Sequence, residues 1–218
     1  MTSRAFKERL LRRAKRFDLV LDSSQIKALE QYVRLLARWN EKINLTALAV
    51  AEPDDHAIDR LLIEPLLAAR YLREGAPNVI DIGSGSGSPA VPLKIAAPAM
   101  HLTMVESKTR KAVFLTEVLR ELGMAGTVET ARFEHLLARP ELHESADVVT
   151  MRAVRAELRT FLSLQAFVRP GGQVFWFKSS GGTDQNVPAP LRWAAAHSLA
   201  DGPSSQLIIL NKDLLVSR

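Results

Sequence analysis

The sequence predicts an α/β fold: a mostly parallel, doubly wound sheet with helices on both faces, preceded by an N-terminal helical extension. Three observations predict it. From Val79 onward, short apolar runs alternate with amphipathic segments, which is the order of βαβ units. The first run, Val79-Ile80-Asp81-Ile82, leads into Gly83-Ser84-Gly85-Ser86-Gly87-Ser88, with glycine at every second position, and Pro89 then opens an apolar segment through Ile95. Strand, glycine loop and helix in that order make a nucleotide-type cofactor site. Glycine lets the backbone come close to a ligand, and a helix start offers free N–H groups. Third, residues 1–75 read as helices, so a helical region over 1–75 is expected to pack on a cofactor-binding domain over 76–218.

In the helical region, Phe6, Leu10, Ala14 and Phe17 fall at helical spacing among Arg4, Lys7, Arg9, Arg12, Arg13, Lys15 and Arg16, with one acid, Glu8. This basic amphipathic helix is either a phosphate-contacting arm or a packing helix with a solvated charged face. Asp22 with Gln25 three places on reads as a capping box. Ile26, Leu29, Val33 and Leu36 continue as the buried stripe of a second helix, which ends near Trp39-Asn40. Beyond it, Asn44 and Thr46 suit side-chain to backbone bonds that hold a loop. Pro53-Asp54-Asp55 starts a third helix, with Ile58, Leu61, Leu62 and Leu66 on its apolar face and a kink expected at Glu64-Pro65. Gly75-Ala76-Pro77-Asn78 turns into the central strand.

Further on, His101 to Val105 is a second strand, and Val113-Phe114-Leu115 with Val118-Leu119 lie on a helix ending near Gly123. Thr127 to Thr130, Asp147 to Met151, Gln173 to Phe177 and Leu207 to Leu210 are the remaining strands; Leu158 to Val168 is a helix and Arg169-Pro170-Gly171-Gly172 a turn. Ser179 to Pro190, rich in Ser, Gly and Pro, reads as a mobile loop, and Leu191 to Leu199 fits helix or strand. The last strand follows a break in the alternation, so an antiparallel course is open to it.

The 218 residues suffice for one domain with an appendage. With 47% hydrophobic residues the chain is globular, and no apolar run approaches the roughly 20 residues that cross a bilayer. The absence of cysteine excludes a disulfide, a thiolate metal site and a cysteine nucleophile. The five histidines, His56, His101, His135, His143 and His197, lack metal-ligand spacing, so no metal is expected. A net charge of +5 favours an anionic partner such as RNA.

The glycine loop narrows the cofactor. The dinucleotide fingerprint G-x-G-x-x-G fails, since Ser88 stands at its third glycine, and the Gly-Lys-Ser/Thr of a P-loop is absent. The pattern present is Asp81-x-Gly83-x-Gly85-x-Gly87, and Glu106 follows nineteen positions after Gly87 at the end of the second strand. A carboxylate there can accept hydrogen bonds from both hydroxyls of a ribose. The residues just beyond each strand are therefore the site candidates: Gly83 to Ser88, Glu106-Ser107, Arg132 to Glu134, Arg152 and Lys178.

The loop resembles the S-adenosylmethionine (SAM) loop of Rossmann-like methyltransferases, and the chain as a whole resembles one family. Trp39-Asn40-x-x-Asn44-Leu45-Thr46, His56-x-x-Asp59, the glycine loop with Pro89-x-x-Pro92-Leu93, Glu106-Ser107, Arg110-Lys111-x-x-Phe114-Leu115, Arg132-x-Glu134, Arg152-Ala153 and Lys178 are similar to the small-subunit rRNA guanine-N7 methyltransferases, also called glucose-inhibited division protein B. The resemblance implies a seven-stranded, Rossmann-like class I methyltransferase fold, SAM as methyl donor and one guanine of 16S rRNA in the small ribosomal subunit as acceptor. A cytoplasmic monomer without membrane or metal partner is expected. By the same similarity Gly83, Ser88, Phe133, Glu134 and Arg152 contact the cofactor, joined by Asp81, Gly85, Gly87, Glu106 and Ser107; Asn44, Arg110 and Lys178 are the candidate substrate contacts. The chain departs from the family pattern at Ser86, Ser88 and Ala90, at Arg60 where the helix motif has serine, at Lys178-Ser179-Ser180-Gly181, and at Ser205-Gln206 where Arg-His is usual.

Guanine N7 carries a lone pair and no proton, so its attack on a SAM methyl needs no general base, and catalysis is positioning. Arginine usually reads guanine through both O6 and N7. That would block the nucleophile here, so the candidate catalytic residues Arg132 and Arg152 are expected at O6 or phosphate. The competing reading of Arg152 is an ion pair with Glu134 or Asp147 at the strand ends, and His56 and Asp59 read as structural. Three other functions stay open: a SAM methyltransferase with a different RNA or small-molecule acceptor, an NAD-dependent oxidoreductase, and a SAM- or RNA-binding protein without catalysis.

Overall fold

The computed structural model describes residues 2–179, 187–199 and 205–214. Helix α1 (Ser3–Arg16) buries Phe6, Leu10 and Ala14, and α2 (Ser23–Ile43) buries the expected stripe together with Tyr32 and Leu35. The capping box forms: Asp22 Oδ1 accepts the Gln25 N–H (2.8 Å), and Gln25 Oε1 accepts the Asp22 N–H (3.1 Å). Of the α1 cations, three face the protein rather than a partner. Arg9 donates to the Pro53 carbonyl, Arg12 reaches Asp55 (2.7 Å), and Arg13 makes a bidentate pair with Asp59 (2.8 and 2.5 Å). For these residues the packing-helix reading holds.

The third helical stretch breaks into α3 (Asp55–Ile58), a π-helical turn (Asp59–Ile63) and α4 (Glu64–Ala68). The kink expected at Glu64-Pro65 takes this form for a definite reason. Pro65 has no N–H to give to the carbonyl four residues back and its ring crowds that carbonyl, so the ladder widens by one residue. The Glu64 N–H accordingly bonds to the Asp59 carbonyl, five back. Pro65 thereby strands the carbonyls of Leu61 (four back) and Arg60 (five back), which find partners elsewhere, as described below.

Seven strands follow: β1 (Asn78–Ile82), β2 (His101–Val105), β3 (Thr127–Glu129), β4 (Ala146–Arg152), β5 (Val168–Ser179), β6 (Leu191–Ser198) and β7 (Ser205–Lys212). Helices α5 (Ala90–Ala96), α6 (Thr109–Glu121), α7 (Phe133–Leu136) and α8 (Leu158–Phe167) link the earlier ones. The order is β3-β2-β1-β4-β5-β7-β6; the first five are parallel, and β7 runs antiparallel to both β5 and β6. The last strand is thus antiparallel, and the ambiguous Leu191 to Leu199 segment is an edge strand. The expected turn Arg169-Pro170-Gly171-Gly172 lies instead within β5, as a bulge: pairing moves from Ala146↔Val168 to Val148↔Gln173, and Gly171 takes a φ of +72°. Of the loop expected from Ser179 to Pro190, Ser179 ends β5 and residues 180–186 lie outside the described residues.

Strand alternation divides the apolar side chains between two faces. Val79, Val148, Phe175 and Phe177 join one core with α1, α2, α5 and α6, while Ile80, Val149, Met151 and Trp176 pack with Phe161 and Phe167 of α8 in the other. Strand order reverses between β1 and β4, which opens a crevice at their carboxyl ends, beside Gly83 and Arg152.

Arg13→Ala removes the bidentate partner of a nearly buried Asp59. It is expected to cost about 3 kcal/mol in urea unfolding, part of which Arg13→Ala combined with Asp59→Ala recovers. Unchanged stability would show that α1 is not anchored by this pair.

Candidate active site

The glycine loop is fixed from three directions. The N–H groups of Gly83 and Ser84 donate to the Val105 carbonyl (2.9 and 3.1 Å), the Gly85 N–H to Glu106 Oε2 (2.9 Å), and the Tyr32 hydroxyl to the Ser86 carbonyl (2.8 Å). At Gly87 the φ is +87°, and a Cβ would lie 3.0 Å from Val91, 3.3 Å from Leu115 and 3.4 Å from Tyr32. This glycine is therefore needed to seat the loop on α2, α5 and α6. Gly85 also has a positive φ, but a Cβ there meets only ordinary contacts.

Two carboxylates serve the loop differently. Glu106 is buried, and Oε1 accepts the Lys108 N–H (2.8 Å) while Oε2 holds Gly85. Asp81 lies beneath the loop; Oδ1 accepts the Thr150 hydroxyl (2.5 Å), and Oδ2 is buried with no partner among the described residues. Burial pushes the Asp81 carboxyl up from its ordinary value.

The π-helical turn brings a third acid. Glu64 is completely buried, and its carboxylate is shared by Arg60 (3.0 Å) and Arg152 (2.8 Å). The two carbonyls stranded by Pro65 close the arrangement. Ser88 Oγ donates to the Leu61 carbonyl (2.9 Å), and Arg152 Nη1 donates to the Arg60 carbonyl and reaches Ser88 Oγ (3.2 Å). The Arg152 guanidinium also lies 4.5 Å over the Phe177 ring. Burial pulls its pKa down to about 10 against the opposing pull of Glu64, so it remains a cation at neutral pH. Ala153 follows with a φ of +55°, a left-handed backbone that costs a non-glycine residue roughly 1 kcal/mol or more and that recurs at functional sites.

Two cavities meet at Gly83 and Val154. One, of about 510 Å³, is lined by Thr46, Arg60, the Gly83 to Ser86 loop, Ser88, Glu106, Lys108, Lys111 and Arg152, among others. The other, of about 300 Å³, is lined by Ile82, Val105, Ser107, Arg132, Phe133 and Glu134, among others. The structure thus brings together Gly83, Gly85, Ser88, Glu106 and Arg152 in one cavity, and Gly83, Ser107, Arg132, Phe133 and Glu134 in the other. Asp81 and Gly87 support them from below. Asn44, Arg110 and Lys178 do not line either cavity. Asn44 is exposed at the left-handed C-cap of α2, Arg110 is exposed on α6, and Lys178 sits over the Trp176 ring. The loop after α2 is held by Thr46 as expected, but its second holder is Asn40, which accepts the Thr46 N–H, not Asn44. The ion partner of Arg152 is Glu64; Asp147 pairs with Arg169 instead, and Glu134 is exposed. Sequence reasoning missed Tyr32, Arg60 and Glu64. For Arg60 the signal was its departure from the family pattern, and for Glu64 the Glu64-Pro65 pair, since proline inside a helix frees carbonyls that something must satisfy.

SAM fits this double cavity. Phe133 and the apolar strand ends suit an adenine, Glu106 a ribose, and the orphaned Asp81 Oδ2 and Arg152 Nε answer to a polar, charged tail. Solved structures of similar fold include a SAM-dependent methyltransferase from Aquifex aeolicus (TM-score 0.53, 14% identity, 73% of this chain and 94% of that one) and the [4+2]-cyclase SpnF (TM-score 0.56, 15% identity, 89% and 98%). Fold and site together define a Rossmann-like class I methyltransferase fold with a crevice that SAM fits.

Residues 25–197 match the family GidB, described as rRNA small subunit methyltransferase G. Relatives of that name are 38% identical over 184 residues in Roseiflexus castenholzii (84% of this chain, 77% of the relative) and 36% identical over 167 residues in Carboxydothermus hydrogenoformans (76% and 69%). One in Sorangium cellulosum is 33% identical over 202 residues (89% and 82%). The chain belongs to the GidB family, and the family match makes it a SAM-dependent rRNA methyltransferase.

Glu106→Ala is expected to weaken SAM binding at least about tenfold in calorimetry, through loss of the carboxylate and of its grip on the loop. Unchanged affinity would remove Glu106 from the site. Asp81 makes a pH-dependent prediction. Its folded-state pKa is raised above the ordinary 3.8, so its contribution to stability is complete below that value and is lost as pH climbs through the folded-state value. Asp81→Asn cannot ionise. It is expected to be more stable than the parent at pH 7, to lose that advantage toward pH 4 in urea unfolding, and to bind SAM more weakly. Equal stability at both pH values would mean that the buried carboxylate is fully compensated.

Proposed function

We propose that this chain transfers the methyl group of SAM to N7 of a guanine in the 16S rRNA of the small ribosomal subunit. The rRNA substrate is supported by the description of the matched family and by the names of its relatives. The N7 assignment rests on one observation: the larger cavity offers no unoccupied base. Among the described residues, Glu106 is the one carboxylate that lines it, both of its oxygens already accept backbone N–H groups, and no histidine lines it. A nucleophile that must lose a proton would be poorly served here. Guanine N7 has none to lose.

Bound SAM supplies an electrophilic methyl group on a sulfonium. The protein's share of the work is to hold the acceptor nitrogen in line with it, which is positioning and exclusion of water. Arg152, committed to Glu64, Ser88 and the Arg60 carbonyl, shapes the wall. It keeps its charge in that network and away from N7, where methylation creates a cation. Arg132, exposed at the neighbouring cavity, suits guanine O6 or a phosphate. Lys108 and Lys111 at the cavity and the exposed Arg110 between them form a basic helix start for RNA phosphates. A target base must leave its stack to reach this crevice, so an unpaired loop nucleotide is the fitting acceptor.

The test is methyl transfer from labelled SAM to small ribosomal subunits that lack N7-methylguanine, with the product mapped by N7-specific strand cleavage. A single cleavage in a 16S loop is expected. No transfer, with SAM binding intact, would assign the enzyme a different acceptor or a binding role.

A further inference from the structure

The sheet order arranges the site residues in a row along its carboxyl edge. Phe133 follows β3, Glu106 ends β2, the glycine loop ends β1, and Arg152 ends β4. SAM is itself a row: adenine, ribose, sulfonium and an α-amino acid. With the adenine at Phe133 and the ribose at Glu106, the amino acid reaches the β1–β4 side, and its carboxylate needs a cation there.

Two arginines stand at that position. The Arg152 side chain is 11% exposed and directs Nη1 to Ser88 and the Arg60 carbonyl and Nη2 to Glu64. The Arg60 side chain is 21% exposed and lines the cavity. Every side-chain hydrogen bond of Arg60 among the described residues is made through Nη1, to both oxygens of Glu64 (3.1 and 3.0 Å) and to Ser205 Oγ (3.2 Å). Nε and Nη2 remain. Lys108 and Lys111 line the same cavity but come from the start of α6, which follows β2, the strand that places Glu106. Within the cluster two arginines face one glutamate, so Glu64 does not use up the hydrogen-bonding capacity of Arg60.

We infer that Arg60 binds the α-carboxylate of SAM, with a planar N–H pair that matches a carboxylate and with its position fixed by Glu64. The inference rests on SAM being the cofactor. It gives a role to a position at which this chain carries arginine where the family motif has serine.

Calorimetric binding of SAM and of decarboxylated SAM, which lacks only that carboxylate, to the full chain and its Arg60→Ala and Arg60→Lys variants is the test. Arg60→Ala is expected to weaken SAM binding about tenfold to hundredfold and to leave decarboxylated SAM binding unchanged, while Arg60→Lys recovers part of the loss. Equal losses for both ligands would make Arg60 a support of the cavity wall and overturn the inference. So would undiminished SAM affinity; if RNA affinity fell instead, the arginine would be facing the substrate. Should Arg60→Ala fold poorly, Arg60→Gln keeps a hydrogen bond to Glu64 and gives the same comparison. Failure of the unaltered chain to bind SAM would overturn the cofactor assignment itself, a result distinct from all of these.

Discussion

Glu64 is the residue on which the site's geometry depends. A fully buried carboxylate is costly unless it is paired and hydrogen-bonded, and here two arginines from different parts of the chain share it. Arg60 comes from the helical turn just before it and Arg152 from the end of β4. The pair is poor evidence for net stability, because desolvation of three charges offsets much of their attraction. What it supplies is register. By joining the helical turn before it to the end of β4, the acid fixes how the N-terminal helical segment sits over the strand ends.

Pro65 turns that register into a cavity wall. The carbonyls it strands, on Arg60 and Leu61, are taken by Arg152 and Ser88, one at the end of β4 and one at the end of the glycine loop. The same loop is held from the far side by Tyr32 of α2 and from the next strand by Val105 and Glu106. The helical segments that precede β1 are thus part of the site's construction. The protein's own hydrogen bonds fix the loop, so ligand binding need not spend energy on ordering it.

The fold was legible because its signals are local. Alternating apolar runs, a glycine loop between strand and helix and a capping box each declare themselves within a few residues, and the structure has them in place. Phe133, Glu106 and Arg152 could be placed near one another because residues beyond parallel strands share one edge. The Arg60–Glu64–Arg152 cluster was not legible: Arg152 lies 88 residues from Glu64, and nothing in a helical pattern says that a glutamate between apolar residues is buried. The bulge in β5 was misread as a turn because Arg169-Pro170-Gly171-Gly172 carries turn chemistry, which a bulge with a left-handed glycine also uses. The α1 arginines could be read two ways, and Asp55 and Asp59, one short helix away, decided for packing.

The likeness to SpnF, a cyclase, shows that this sheet order does not choose a reaction. The choice lies in what the side chains around the crevice have left to offer. In this chain the two carboxylates closest to the larger cavity are already committed: Glu106 to two backbone N–H groups and Glu64 to two arginines. An enzyme that had to draw a proton from its acceptor would keep one of them within reach of the substrate. A wall of engaged acids and cations, with the acids holding the loop and the helical turn in place, suits an acceptor that is already nucleophilic. On the proposed reading, the bonds that hold Glu106 and Glu64 in place also keep them from serving as a general base in the larger cavity.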